Sequence, residues 1–65
     1  MEIEWHCPIV VNYKNWKGVV SSRNIVPKKL YWGATPFHHI PQWILTVWDQ
    51  DKKEYRDFAL KDMYP

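Results

Sequence analysis

The chain has a single cysteine, Cys7, so no disulfide can close within it. A lone thiol fits a reducing compartment, and a cytoplasmic protein is expected. Only two of the 65 residues are glycine and no stretch is of low complexity, which argues against disorder. No run of about 18 apolar residues occurs, so neither a membrane span nor a membrane partner is expected. The start, Met1-Glu2-Ile3-Glu4-Trp5-His6, is acidic and lacks the apolar core of a secretory leader. Helix periodicity is missing too: no window carries apolar residues at i, i+3, i+4 and i+7 over two turns. Charge of one sign is scarcely in excess. Nine Lys and Arg against seven Asp and Glu leave a net +2. That is a weak bias toward anionic partners, well short of a nucleic-acid-binding composition. Neither a repeat nor a linker divides the chain, and its length suits one domain over 1–65.

What the chain does have is aromatic mass: five Trp, four Tyr and two Phe, eleven rings in all. Each can bury about 150–250 Å². A chain this small without staples leans on such burial. Most rings are therefore expected in the core or in a subunit interface.

The residues around the rings read as strands. Ile9, Val11 and Tyr13 alternate with Val10, Asn12 and Lys14, the period of a half-buried strand. Asn15-Trp16-Lys17-Gly18 reads as a hairpin turn, with Gly18 free to take a positive φ. A second strand is expected over 19–26, ended or edged by Pro27, and a third over 28–32. Residues 33–42 are irregular, because Pro36 and Pro41 exclude a helix interior and a central strand. Trp43-Ile44-Leu45-Thr46-Val47-Trp48 is the strongest strand. After a polar turn over 49–53, the last strand is expected over 54–60, with Arg56, Phe58 and Leu60 on one face. Residues 59–63 allow one short helical turn. Five short strands cannot bury two separate sheets. The expected fold is all-β, a strongly bent sheet curled into a small five-stranded SH3-like or Sm-like barrel.

Catalytic patterns are missing. No G-x-S-x-G, H-E-x-x-H or P-loop occurs, and Ser21 and Ser22 are adjacent on one strand. A non-enzymatic chain without cofactor is expected. His6-Cys7 and His38-His39 supply atom types that suit zinc, but adjacent strand residues point to opposite faces, and no metal site is expected. A binding surface has more to recommend it. Arg23 and Arg56 sit mid-strand, and Lys28-Lys29 stand beside Tyr31-Trp32. Rings stack on unpaired bases and cations meet phosphates. The plainer alternative pairs Arg56 with Asp57 or Glu54 and makes Lys28-Lys29 a solvated edge. The ligand-binding candidates are Tyr13, Arg23, Lys28, Trp43 and Arg56. The irregular segment supplies a second candidate surface from Trp32, Phe37, His38 and His39.

In order along the chain, Tyr13, Arg23-x-Ile25-x-Pro27, Trp43-Ile44-Leu45 and Arg56-x-Phe58-x-Leu60 resemble the WYL domain, over about residues 9–63. The resemblance implies a bacterial, archaeal or phage module with a five-stranded Sm-like or SH3-like barrel. It implies a regulatory groove for a nucleotide or single-stranded nucleic acid, with Trp43, Leu45 and Arg56 at motif positions. The chain departs from the pattern where Ile44 replaces the motif tyrosine and Asp62-Met63 replaces a basic residue. A free-standing module, or one that joins a partner chain, is expected, because these 65 residues leave no room for a DNA-binding domain beside it. The functional expectation is a WYL-like ligand-binding module. The alternative is a protein-interaction or assembly module, a monomer in the first case and an oligomer in the second. An aromatic cage for a quaternary ammonium ranks behind both.

Overall fold

A computed structural model describes residues 3–64; Met1, Glu2 and Pro65, the two ends of the expected domain, lie outside the described residues. Strand β1 is Ile9–Lys14, β2 Val20–Gly33, β3 Gln42–Asp49, β4 Glu54–Ala59 and β5 Met63–Tyr64, with a 3-10 turn at Leu60–Asp62 before β5. The strands form one antiparallel sheet in the order β4-β3-β2-β1-β5. The all-β expectation holds. No helix among the described residues is long and apolar enough to cross a membrane.

The β1–β2 hairpin is built from its turn residues. The Asn15 side-chain oxygen accepts from the Lys17 and Val19 amides, and Gly18 takes φ +81°. A left-handed residue costs little only where no Cβ is present. The β3–β4 turn uses a buried carboxylate instead. Asp49 Oδ1 accepts from the Asp51 and Lys52 amides, and Lys53 enters the left-handed region at φ 55°.

The two strands expected at 19–26 and 28–32 are one. β2 runs unbroken for 14 residues and pairs β1 with its first half and β3 with its second. Pro27 does not end the ladder. It is buried and sits opposite Val47. Its carbonyl accepts from the His6 amide, from the segment ahead of β1. The donor that proline lacks thus points away from β3, toward the segment ahead of β1, and no β2–β3 ladder bond is lost. The register slips by one residue between Pro27 and Lys29, with Lys28 as the extra residue. A bulge of this kind bends the strand. The segment β5, which pairs with Asn12 and Tyr13, was not anticipated.

Val11, Tyr13, Ile25, Leu45, Val47, Phe58 and Met63 form the core. Register puts all of them on one face of the sheet. Tyr13 from β1 stacks on Phe58 from β4, with centroids 4.0 Å apart and planes 14° apart, and its hydroxyl accepts from the Ala59 amide at 3.3 Å. That contact joins the first strand to the fourth across the two strands that lie between them in the sheet. On the opposite face Ile44 and Ala59 are also fully buried. His38 Nε2 donates to the Asp57 carbonyl at 3.3 Å and brings the irregular loop against β4.

The rings do not follow the composition-based expectation. Only Tyr13 and Phe58 are buried, while Trp5, Trp16, Trp32, Phe37, Trp43, Tyr55 and Tyr64 are exposed. The core is mostly aliphatic because the buried strand positions are Val, Ile and Leu, and most rings fall on outward positions or loops.

Tyr13→Phe keeps the stack but leaves the Ala59 amide without its partner. It should cost about 1–3 kcal/mol. Phe58→Ala opens a cavity at the same contact and should cost about 3–5 kcal/mol. Urea unfolding midpoints at unchanged slope measure both.

Candidate binding surfaces

Two features stand apart on the molecule. The first is the arginine pair. Arg23 lies opposite Val11 and Arg56 opposite Val47, and both partners are core residues. Both guanidinium groups therefore rise from the core-bearing face, and both act on the Tyr13 hydroxyl. Burial pushes that hydroxyl above its ordinary value of 10.0. The Ala59 amide opposes this, Asp62 adds to it, and Arg56 and Arg23 pull it down. Arg56 Nη1 stands 3.7 Å from Glu54 Oε1, a contact with an exposed carboxylate. Such a contact contributes about 0–1 kcal/mol. Arg23 Nε is buried and has no partner among the described residues. Tyr13 lies between these cations as a core residue, 7% exposed, with its ring stacked on Phe58.

The second feature is the ring-lined end of the sheet. Trp32 and Trp43 face each other across β2 and β3, edge to face, with centroids 5.5 Å apart. They are 61% and 50% exposed. With Gln42, Leu60 and Lys61 they line a shallow cleft of about 350 Å³. A second cleft of about 430 Å³ shares Gln42 and Lys61 and adds Phe37, His38, His39 and Ile40. Neither lining contains a carboxylate.

Of the expected loop surface, Phe37, His38 and His39 line one cleft, and Trp32 lines the other together with Trp43. The sheet does not bring Trp43 to the arginines. Val47, the partner of Arg56, lies four residue steps along β3 from Trp43, which is roughly 13 Å of strand. Lys28 is the half-buried bulge residue and lines neither cleft. Ile44, where the WYL motif has tyrosine, is buried on the face opposite the core cluster. Gln42, Leu60 and Lys61 went unrecognised in sequence. They come from a strand start and a 3-10 turn about twenty residues apart, and nothing in their local pattern marks them.

No group of three or more His, Cys, Asp or Glu among the described residues is arranged to hold a metal ion. Cys7 is exposed. Cations also lie over rings elsewhere: Lys17 Nζ is 5.1 Å from the Trp16 centroid and Lys29 Nζ 5.2 Å from that of Tyr31. No protein-family model, curated protein or solved structure matches the chain.

The raised Tyr13 pKa carries a stability consequence. Between pH 10 and the higher folded value the unfolded chain has lost the phenolic proton and the folded chain has kept it. Stability from this group is complete below pH 10 and lost as pH rises through the folded value. Wild type should therefore lose stability more steeply above pH 10 than Tyr13→Phe, as read by urea midpoints across the alkaline range.

Proposed function

We propose that the chain is a non-enzymatic, WYL-like binding module for an anionic, base-containing ligand, either single-stranded nucleic acid or a nucleotide. The observation that carries this reading is the arginine pair. Two guanidinium groups on one face, neither held by a buried carboxylate among the described residues, suit phosphate. Arginine offers a planar fork of donors that matches phosphate oxygens in pairs. A small SH3-like or Sm-like barrel is the architecture we favour. Three observations support it. The long bulged β2 serves both halves of the sheet. The 3-10 turn carries the chain from one edge strand, β4, to the other, β5. Tyr13 ties β1 to the end of β4. A cytoplasmic location fits the exposed thiol of Cys7.

A second reading, an assembly or protein-interaction module, is favoured by the seven exposed rings. Exposed apolar patches of this kind mark association surfaces.

Short labelled oligonucleotides, titrated at two salt concentrations, test the first reading. Affinity should fall with salt, and Arg56→Ala and Arg23→Ala should each weaken it about tenfold or more and flatten the salt slope by about one. Binding absent at low salt, or indifferent to both substitutions, removes it. Light scattering tests the second. A stable oligomer that quenches Trp16 or Trp32 fluorescence, without nucleic-acid affinity, favours assembly.

A further inference from the structure

The ring-lined end carries an inference that rests on the nucleic-acid reading and narrows it. We propose that the Trp32–Trp43 corner is a base-stacking subsite and that the ligand is accordingly a single strand of several nucleotides, not a mononucleotide. The two indoles stand at 79° to each other, so a planar ring laid on one turns its own edge to the face of the other. Both keep half or more of their surface open to receive it. The cleft of about 350 Å³ falls at the lower end of sizes that hold small organic ligands. Base-on-aromatic stacking accepts any base, because each has a π face.

Charge favours the same occupant. The linings of the two joined clefts include Lys61, His38 and His39 and no acidic residue. A ring-bearing anion complements this set, whereas a cationic ligand finds no carboxylate to pair with. The Gln42 amide lines both clefts. Its Nε2 donates to the Ile40 carbonyl, while its Oε1 is buried without a partner among the described residues. The terminal torsion of glutamine is soft, so a modest turn offers that oxygen to an exocyclic amine on a base edge.

Separation along the sheet favours the longer ligand. The corner lies roughly 13 Å of β3 backbone from the register position of Arg56. A mononucleotide carries one base and its phosphate on one sugar and offers the two places a single short span. A strand of several nucleotides can place a base on the indoles, a phosphate near Lys61 and another phosphate at the guanidinium groups.

Fluorescence polarisation with a mononucleotide, a tetramer and an octamer of thymidylate tests the inference on the whole chain. The octamer should bind at least tenfold more tightly than the mononucleotide. Trp43→Ala should weaken octamer binding about tenfold, while Trp43→Phe, which keeps a ring, should restore much of it. Lys61→Glu, at an exposed position, should weaken the octamer and reduce its salt slope. Affinity independent of length, or indifferent to Trp43 and Lys61 while Arg56→Ala still weakens it, overturns the subsite and leaves the arginine reading intact. No binding by wild type at any length overturns both. Self-association that Trp43→Ala abolishes, without nucleotide affinity, assigns the corner to a protein interface and overturns the proposal.

Discussion

Tyr13 joins strands that the sheet itself keeps apart. In the order β4-β3-β2-β1-β5, β1 and β4 are separated by two strands, yet the Tyr13 ring lies on Phe58 and its hydroxyl holds the Ala59 amide. The contact has an apolar part and a polar part. Stacking buries two ring faces, and the hydrogen bond satisfies a backbone donor at the open edge of β4. His38 occupies the neighbouring carbonyl of Asp57 on the same strand. Side chains thereby take polar groups that would otherwise invite another strand to pair.

The strand that links the two halves of the sheet is β2. The strand changes partner midway, and Lys28 inserts one residue just past Pro27. Before the bulge, odd-numbered residues such as Arg23 and Ile25 share the core face. Beyond it, Leu30 and Trp32 share a face with Leu45 and Trp43. The slip thus determines which rings look outward at the far end. It places Trp32 directly across from Trp43 and leaves Tyr31 opposite Ile44 on the other face.

Burial and function separate along the sheet. The middle is filled by Val, Ile, Leu and the Tyr13–Phe58 pair. Arg23 and Arg56 stand toward one end of the core-bearing face, and Trp32, Trp43, His38 and His39 line clefts toward the other.

Much of the fold was legible in the residues. Alternation marked β1, β3 and β4, Asn15 to Gly18 marked the hairpin, and the run after Phe58 marked the short helical turn. Those signals are local and are set by side-chain period and turn chemistry. Pro27 misled, because whether a missing donor breaks a ladder depends on which neighbour that donor faces. The identity of the arginines and rings as binding residue types was also local. Their grouping was not: strand parity after a one-residue bulge, and the reach of Tyr13 to β4, decided that Arg23 shares a face with Arg56 while Trp43 joins Trp32, Gln42 and Lys61. Residue chemistry is written in the chain, but proximity between strands arises only when the sheet bends and its register is set.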